Sequence, residues 1–220
     1  YTVVRENIKP LNMSAGDFDL AVAPDGKAYY YFERVHSETI CADLTADYTD
    51  VTGYYSTHFP RISPPYVREA TAHFYRKGKH YLITSGTTGY MPNPSEVAIA
   101  DTWHGPFAVL GNPHPQDESH TSYHSQVSSV FKVEGKKDLY IAVADRWLPE
   151  HMDWKYEEYA AEFAKMFDPD YTGERVFDPK FGNDSVRNTS IADYVWLPFR
   201  FDGEMAYLDW KDEWRIEDYE

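Results

Sequence analysis

The sequence predicts an all-β protein, a β-propeller of about three blades interrupted by one helical insertion. Three observations carry that expectation. Short strand-like runs are joined in pairs by glycine-centred turns. Gly26, Gly78 and Gly135 each stand nine residues after a polar residue, Asp17, Glu69 and Gln126, so three hairpins share one layout. Those leading residues are 52 and 57 positions apart, the period of units that hold several short strands each, as propeller blades do.

Taken in order, Tyr1 to Glu6 alternates like a strand. Residues 18–23 form the next run, turning at Pro24-Asp25-Gly26-Lys27 into the aromatic run Ala28 to Phe32. The same grammar takes Ala70 to Tyr75 through Arg76-Lys77-Gly78-Lys79 into His80 to Thr84. It takes Val127 to Val133 through Glu134-Gly135-Lys136-Lys137 into Asp138 to Val143. A fourth hairpin is expected from Tyr194 to Phe201, through Asp202-Gly203, to Glu204 to Leu208. The whole of 1–220 is thus expected to form a single propeller domain, with an insertion at 148–192 inside its last blade. Within the insertion, Tyr156, Tyr159, Ala160, Phe163 and Phe167 fall on one face of a helix, with Asp153 as the expected N-cap and Asp168-Pro169 as its stop.

Composition excludes several classes of function. The 220 residues hold 36 Asp plus Glu against 21 Lys plus Arg, a net charge of −15 that disfavours contacts with nucleic-acid phosphates. No apolar run approaches the roughly 18 residues of a membrane-spanning helix. The single cysteine, Cys41, cannot form an intrachain disulfide and leaves no Cys pair for a tight zinc site. No Gly-X-Ser-X-Gly elbow supports serine hydrolase chemistry, and Gly86-Thr87-Thr88-Gly89 lacks the lysine of a phosphate loop.

The innermost strand of each propeller blade lines the central channel, so Asp17, Glu69 and Gln126, which open such strands, should converge on the axis. Two carboxyls in one polar funnel resist joint ionisation, which keeps one protonated near neutral pH as a general acid. Glycoside hydrolysis needs such an acid, opposite a group that activates water. The alternative is that all three are ordinary polar residues at strand openings.

Ala15-Gly16-Asp17, Arg68-Glu69-Ala70, Thr84-Ser85-Gly86-Thr87-Thr88-Gly89-Tyr90, Asp145-Arg146-Trp147 and Tyr194-Val195-Trp196-Leu197-Pro198 resemble, in order, the motif series of glycoside hydrolase family 43. The resemblance is nearest to the branch containing exo-β-1,3-galactanases, and it runs from Tyr1 to about Trp214 outside the insertion. It implies a five-bladed propeller that hydrolyses glycosidic bonds with inversion, here exo-acting on plant-type β-galactan or arabinogalactan side chains. By the same resemblance Glu69 is the general acid, Asp17 tunes its pKa, and Gln126 stands by the attacking water. α-L-Arabinofuranosidase and β-xylosidase activities are the alternatives within the family. Gly16 stands where the family usually has Arg, Thr71 where it usually has Pro, and Asp193 where Arg is common. Against the family pattern the first two blades are missing, so the chain is expected to be the C-terminal three blades of a longer enzyme, or to complete its ring with a second chain.

Trp147 and Tyr90 offer flat faces for a pyranose, or else core packing. Arg146 is expected to bond sugar hydroxyls or to pair with Asp145. His114, His120 and His124 lack zinc-type spacing and are expected to be solvated, with His124 facing the channel. No cofactor is required, although a structural calcium or sodium ion in the channel is permitted by the acidic balance. The expected partner is an oligo- or polysaccharide, and the expected location is secreted or periplasmic. From another class altogether, the rivals are a non-catalytic carbohydrate-binding propeller and an inactive fragment.

Overall fold

The computed structural model describes residues 1–181 and 188–220. Strands dominate it. Four form the first sheet, β1 (Ala15–Val22), β2 (Ala28–Arg34), β3 (Glu38–Leu44) and β4 (Val51–His58), in the order β1-β2-β3-β4. Four more, β5 (Glu69–Arg76), β6 (Lys79–Ser85), β7 (Glu96–Ala100) and β8 (Ala108–Gly111), form the second in the order β5-β6-β7-β8. β9 (Gln126–Lys132), β10 (Tyr140–Arg146) and β11 (Asp193–Pro198) form the third in the order β11-β10-β9. β12 (Arg200–Asp202) and β13 (Met205–Tyr207) pair with each other. All these pairs are antiparallel.

The period near 50 is therefore a sheet repeat: each polar residue in the shared register lies in the first strand of a meander. At the tip of one such hairpin Gly78 has φ +84°, a left-handed conformation open to glycine. The outer strands β3, β4, β7 and β8 were not separately expected from the sequence.

The sheets pack face against face. One face of the second sheet sends Leu82 and Ala98 into a cluster with Tyr29, Tyr31 and Cys41 of the first. The other sends Phe74, Tyr81, Ile83 and Val97 against Val127, Tyr140, Ala142, Val195 and Leu197 of the third, with Ala206 and Leu208 closing that cluster. The alternation within β6 thus serves two interfaces. Burying each such large side chain contributes on the order of 2 kcal/mol. The first strands also touch across the gaps, β1 against β5 and β5 against β9. No ladder joins these strands, and a side chain supplies a bond in its place: Asp19 Oδ2 accepts from the His73 N–H at 2.7 Å.

Four expectations are corrected. Residues 1–6 form no strand: Tyr1, Val3 and Val4 are exposed, so their alternation has no buried face to specify. The fourth hairpin is two elements. β11 pairs with β10 up to Pro198, and the Phe199 N–H then bonds the Tyr140 carbonyl before the chain turns into β12. The helix α1 spans Tyr156–Phe167 and begins after Lys155, not Asp153. Its opening is fixed instead by the Glu158 carboxylate accepting from the Lys155 N–H at 3.0 Å and by the Tyr156 N–H bonding the Ser119 carbonyl at 3.0 Å. Asp168, in extended conformation, ends the helix as expected. Finally, the three histidines are not alike: His114 and His124 are buried, whereas His120 is exposed and meets Glu157.

The insertion links β10 to β11. Tyr159 and Phe163 of α1, with Trp154 and Phe181, pack on Met91 and Leu148, and the Tyr159 hydroxyl donates to the Pro92 carbonyl. The helix is thereby docked beside the loop that follows β6. Residues 182–187 of the expected insertion lie outside the described residues.

Candidate active site

Each of the three first strands is irregular near its start. The register shifts between Ala15 and Phe18 in β1, between Glu69 and Ala72 in β5, and opposite Val143 and Ala144 in β9. Such bulges turn side chains off the regular pleat. Ala70, next to Glu69, is held at φ +48°, in the left-handed region.

The bulges gather the three polar residues. Gln126 Nε2 donates to Ser85 Oγ at 2.8 Å and lies 3.4 Å from Glu69 Oε1. Burial, reinforced by the Asp17 and Glu33 carboxylates, pushes the Glu69 carboxyl up to about 8, against the Thr87 hydroxyl and the Gln126 amide, which favour its ionised form. Asp17 is also raised, first by the protein crowding its carboxyl, although its exposed side chain tempers that effect, and the Ala70 N–H pulls it down. The arrangement can hold a protonated carboxyl at neutral pH beside an ionisable neighbour, the electrostatic requirement for general acid catalysis.

Two residues in this site, Glu33 and Asn93, have no counterpart in the motif reading, and a third, Ser85, lies within a motif that gave it no role. Glu33, 4% exposed, comes from the end of β2, accepts from the His36 N–H at 2.7 Å, and is raised by burial. It stands beneath Gly16, where an added Cβ would fall 2.2 Å from its Oε2, so the glycine leaves room for a third carboxyl. Ser85 anchors Gln126. Asn93 braces the loop after β6: its Oδ1 accepts from the Gly86 N–H at 2.5 Å, and its Nδ2 donates to the Gly86 carbonyl at 2.8 Å and to Thr88 Oγ1 at 2.6 Å. A buried Glu in a strand and an Asn after a Pro carry no spacing signal, which is why sequence patterns pass over them. Arg68 is structural, donating to Thr84 Oγ1 at 3.0 Å and to the Thr84 carbonyl at 2.6 Å and pairing with Glu96.

On the far side of Gln126 is a small cavity of about 10 Å³, lined by Tyr90, His124, Asp145 and Trp147, a volume that suits one water. Tyr90 and Trp147 face each other with ring centroids 5.5 Å apart. Trp147 also packs on the cluster around α1, so it serves core and cavity together. Neither Glu69 nor Asp17 lines this cavity. Arg146 leaves the strand on the opposite side from Asp145 and Trp147. It donates from Nη2 to the Tyr123 carbonyl at 2.9 Å, forms no ion pair with Asp145 among the described residues, and lines a separate cleft. Among the described residues no three His, Cys, Asp or Glu side chains gather into a group that could hold a metal ion.

No protein-family model and no curated protein matches the sequence. Solved structures do match. A GH43 β-1,3-galactosidase superposes with a TM-score of 0.72 at 24% identity, over 96% of this chain and 36% of its own. An exo-β-1,3-galactanase from Clostridium thermocellum gives 0.59 at 24% identity, over 89% of this chain and 33% of its own. The Phanerochaete chrysosporium exo-β-1,3-galactanase with β-1,3-galactotriose gives 0.64 at 19% identity, over 91% and 37%. The chain spans about a third of the length of these structures. At such identities the likeness is one of architecture: this chain has the all-β fold found in part of the glycoside hydrolase family 43 enzymes.

Proposed function

We propose that this chain carries the catalytic residues of a glycoside hydrolase that acts with inversion from the end of a β-galactan or arabinogalactan side chain. Its three meandering sheets are three blades of a propeller. The observation that carries this reading is the contact of Glu69 with Gln126, together with a carboxyl that stays protonated near neutral pH. Glu69, held in the acid form by Asp17 and Glu33, gives its proton to the glycosidic oxygen as that oxygen's bond to the anomeric carbon breaks. Water bonds to the same carbon from the opposite face and passes its proton to a carboxylate base contributed by the rest of the completed ring. Inversion requires room for water, roughly 6.5–9.5 Å between the acid and the group opposite. At 3.4 Å Gln126 is turned onto the acid, so inversion requires the two side chains to part and admit the water between them. Galactose-based glycans are favoured because the matching structures carry galactosidase and galactanase names and one holds β-1,3-galactotriose.

The exposed apolar side chains Phe18, Leu20 and Val22 on β1 support completion of the ring by further sheets, from a longer chain or from a second one. A polymeric substrate supports a secreted or periplasmic location. The second reading is a saccharide-binding propeller without turnover, favoured by the carboxamide at 126, which is a poor base. Glu69→Gln decides between them. On a galactoside with a poor leaving group, an enzyme loses about 10²–10⁴-fold in kcat, and it loses far less on an activated aryl galactoside. A wild-type protein that binds the glycan but turns over neither substrate is the saccharide-binding propeller, and one that does neither is an inactive fragment.

A further inference from the structure

A second cleft, of about 410 Å³, opens beside His124 and is lined by Gln116, Asp117, Tyr123, His124, Arg146, Met152 and Trp210. It is large enough for a sugar ring. We propose that it is a saccharide-binding subsite, which holds a neutral sugar unit of the same glycan beyond the one being cleaved. The inference rests on the glycosidase reading for the glycan but on separate residues for the site.

Four observations point to a sugar. Trp210 is 41% exposed, and its indole Nε1 is fixed by Asp212 Oδ1 at 2.8 Å, so an aromatic plate is held in place at the cleft edge. Arg146 lies 5.5 Å from the Trp210 ring centre, so cation and plate share one wall. Its Nη2 is used by the Tyr123 carbonyl, whereas Nε is buried without an acceptor. A guanidinium beside an exposed aromatic face presents donors for pyranose hydroxyls and a plate for the C–H face together. Third, His124 Nδ1 and the Tyr123 hydroxyl are also buried without a partner, so polar side chains at the cleft wall are not committed to bonds within the protein. Fourth, Ser122, Tyr123 and His124 are three consecutive residues at φ +55° to +58°. This costly backbone is pinned by Asp117, whose carboxylate accepts from the N–H groups of Ser119, Thr121 and Tyr123. Strain of that kind persists where surrounding bonds over-determine it, and here it sets the wall that separates the cleft from Gln126.

A neutral unit is favoured over an anionic one. The Asp117 carboxylate lines the cleft, Asp153 acts on His124 and Asp193 on Arg146, in a chain of net charge −15.

The test is equilibrium binding of galactose and of β-1,3-galactotriose to the Glu69→Gln protein, followed by calorimetry and by the NMR signal of the Trp210 indole N–H. The trisaccharide should bind tighter than galactose and move the Trp210 signal. Adding Trp210→Ala or Arg146→Gln should cut the preference for the trisaccharide about tenfold, while adding Tyr54→Ala, remote from the cleft, leaves it intact. An unmoved Trp210 signal together with an unchanged preference in both variants overturns the proposal, and the NMR arm holds even if a variant fails to fold. Because binding is read without turnover, the two ideas fail separately. Aryl galactoside hydrolysis with no cleft effect sinks only the subsite, and a cleft effect in a wild-type protein without turnover sinks only the hydrolase.

Discussion

Gln126 Nε2 lies 3.4 Å from Glu69 Oε1, and the same nitrogen donates to Ser85 Oγ at 2.8 Å. Residues 57 positions apart in the chain thus meet across the gap between two sheets. The amide comes from the first strand of the third sheet, the carboxyl from that of the second, and the serine from the end of β6. This contact ties the chemistry of the site to the way the sheets are stacked.

Glu69 is raised from 4.5 to about 8. Its proton is therefore retained in the folded state over a range where the unfolded chain has lost it. The stabilisation is complete below the unfolded value and is lost as pH rises toward 8. Melting temperature measured from pH 5 to pH 8.5 should fall, and Glu69→Gln should flatten that slope. If Glu69 is the acid, the basic limb of kcat/KM lies near pH 8. Glu33→Gln removes one of the charges that hold the proton on, so the limb should move to lower pH. A limb that stays in place would exclude Glu33 from this electrostatic role.

Gly16 gives way to Glu33. A Cβ at position 16 would fall 2.2 Å from Glu33 Oε2 and 3.6 Å from its Cβ. Gly16→Ala should therefore cost about 1–3 kcal/mol in urea denaturation, the cost of overpacking. Glu33→Ala should relieve most of that cost in the double variant, because the two sites share one volume. Additive losses would show that the glycine serves the backbone of β1 instead.

Arg76 holds the second sheet to the third. It is buried, donates from Nε to Asp138 Oδ1 at 2.8 Å and from Nη2 to Oδ2 at 2.5 Å, and covers the Phe201 ring at 3.6 Å from its centre. Arg76→Ala should lower stability by about 1–3 kcal/mol, as for a charge-assisted bond that is lost with one partner left behind. Arg76→Lys should recover less than half of it, since an ammonium offers neither the planar fork nor the stacking surface. Full recovery by lysine in the same denaturation assay would reduce the contact to simple charge.

The shared offset of nine residues, the period near 50 and the helical face in the insertion were all legible, because each is a local repetition of residue types along the chain. The expected helix began two residues early because Asp153 is a good cap by type, whereas the bonds from Lys155 to Glu158 and from Tyr156 to Ser119 set the actual start. The start of the chain looked like a strand by alternation alone, and alternation specifies a strand only when one side is buried.

What the sequence determined by itself is the β class, the repeat and the three polar positions in common register. Tertiary structure alone decided that Glu33 joins Asp17 and Glu69, that Ser85 orients Gln126, and that Arg146 turns into a different cleft from its neighbour Trp147. The reason is physical. Hairpins are written by near neighbours, through turn residues and a period of two. Side chains that meet across separate sheets are placed by bulges and face-to-face packing, which join residues far apart in the chain and leave no fixed interval to read.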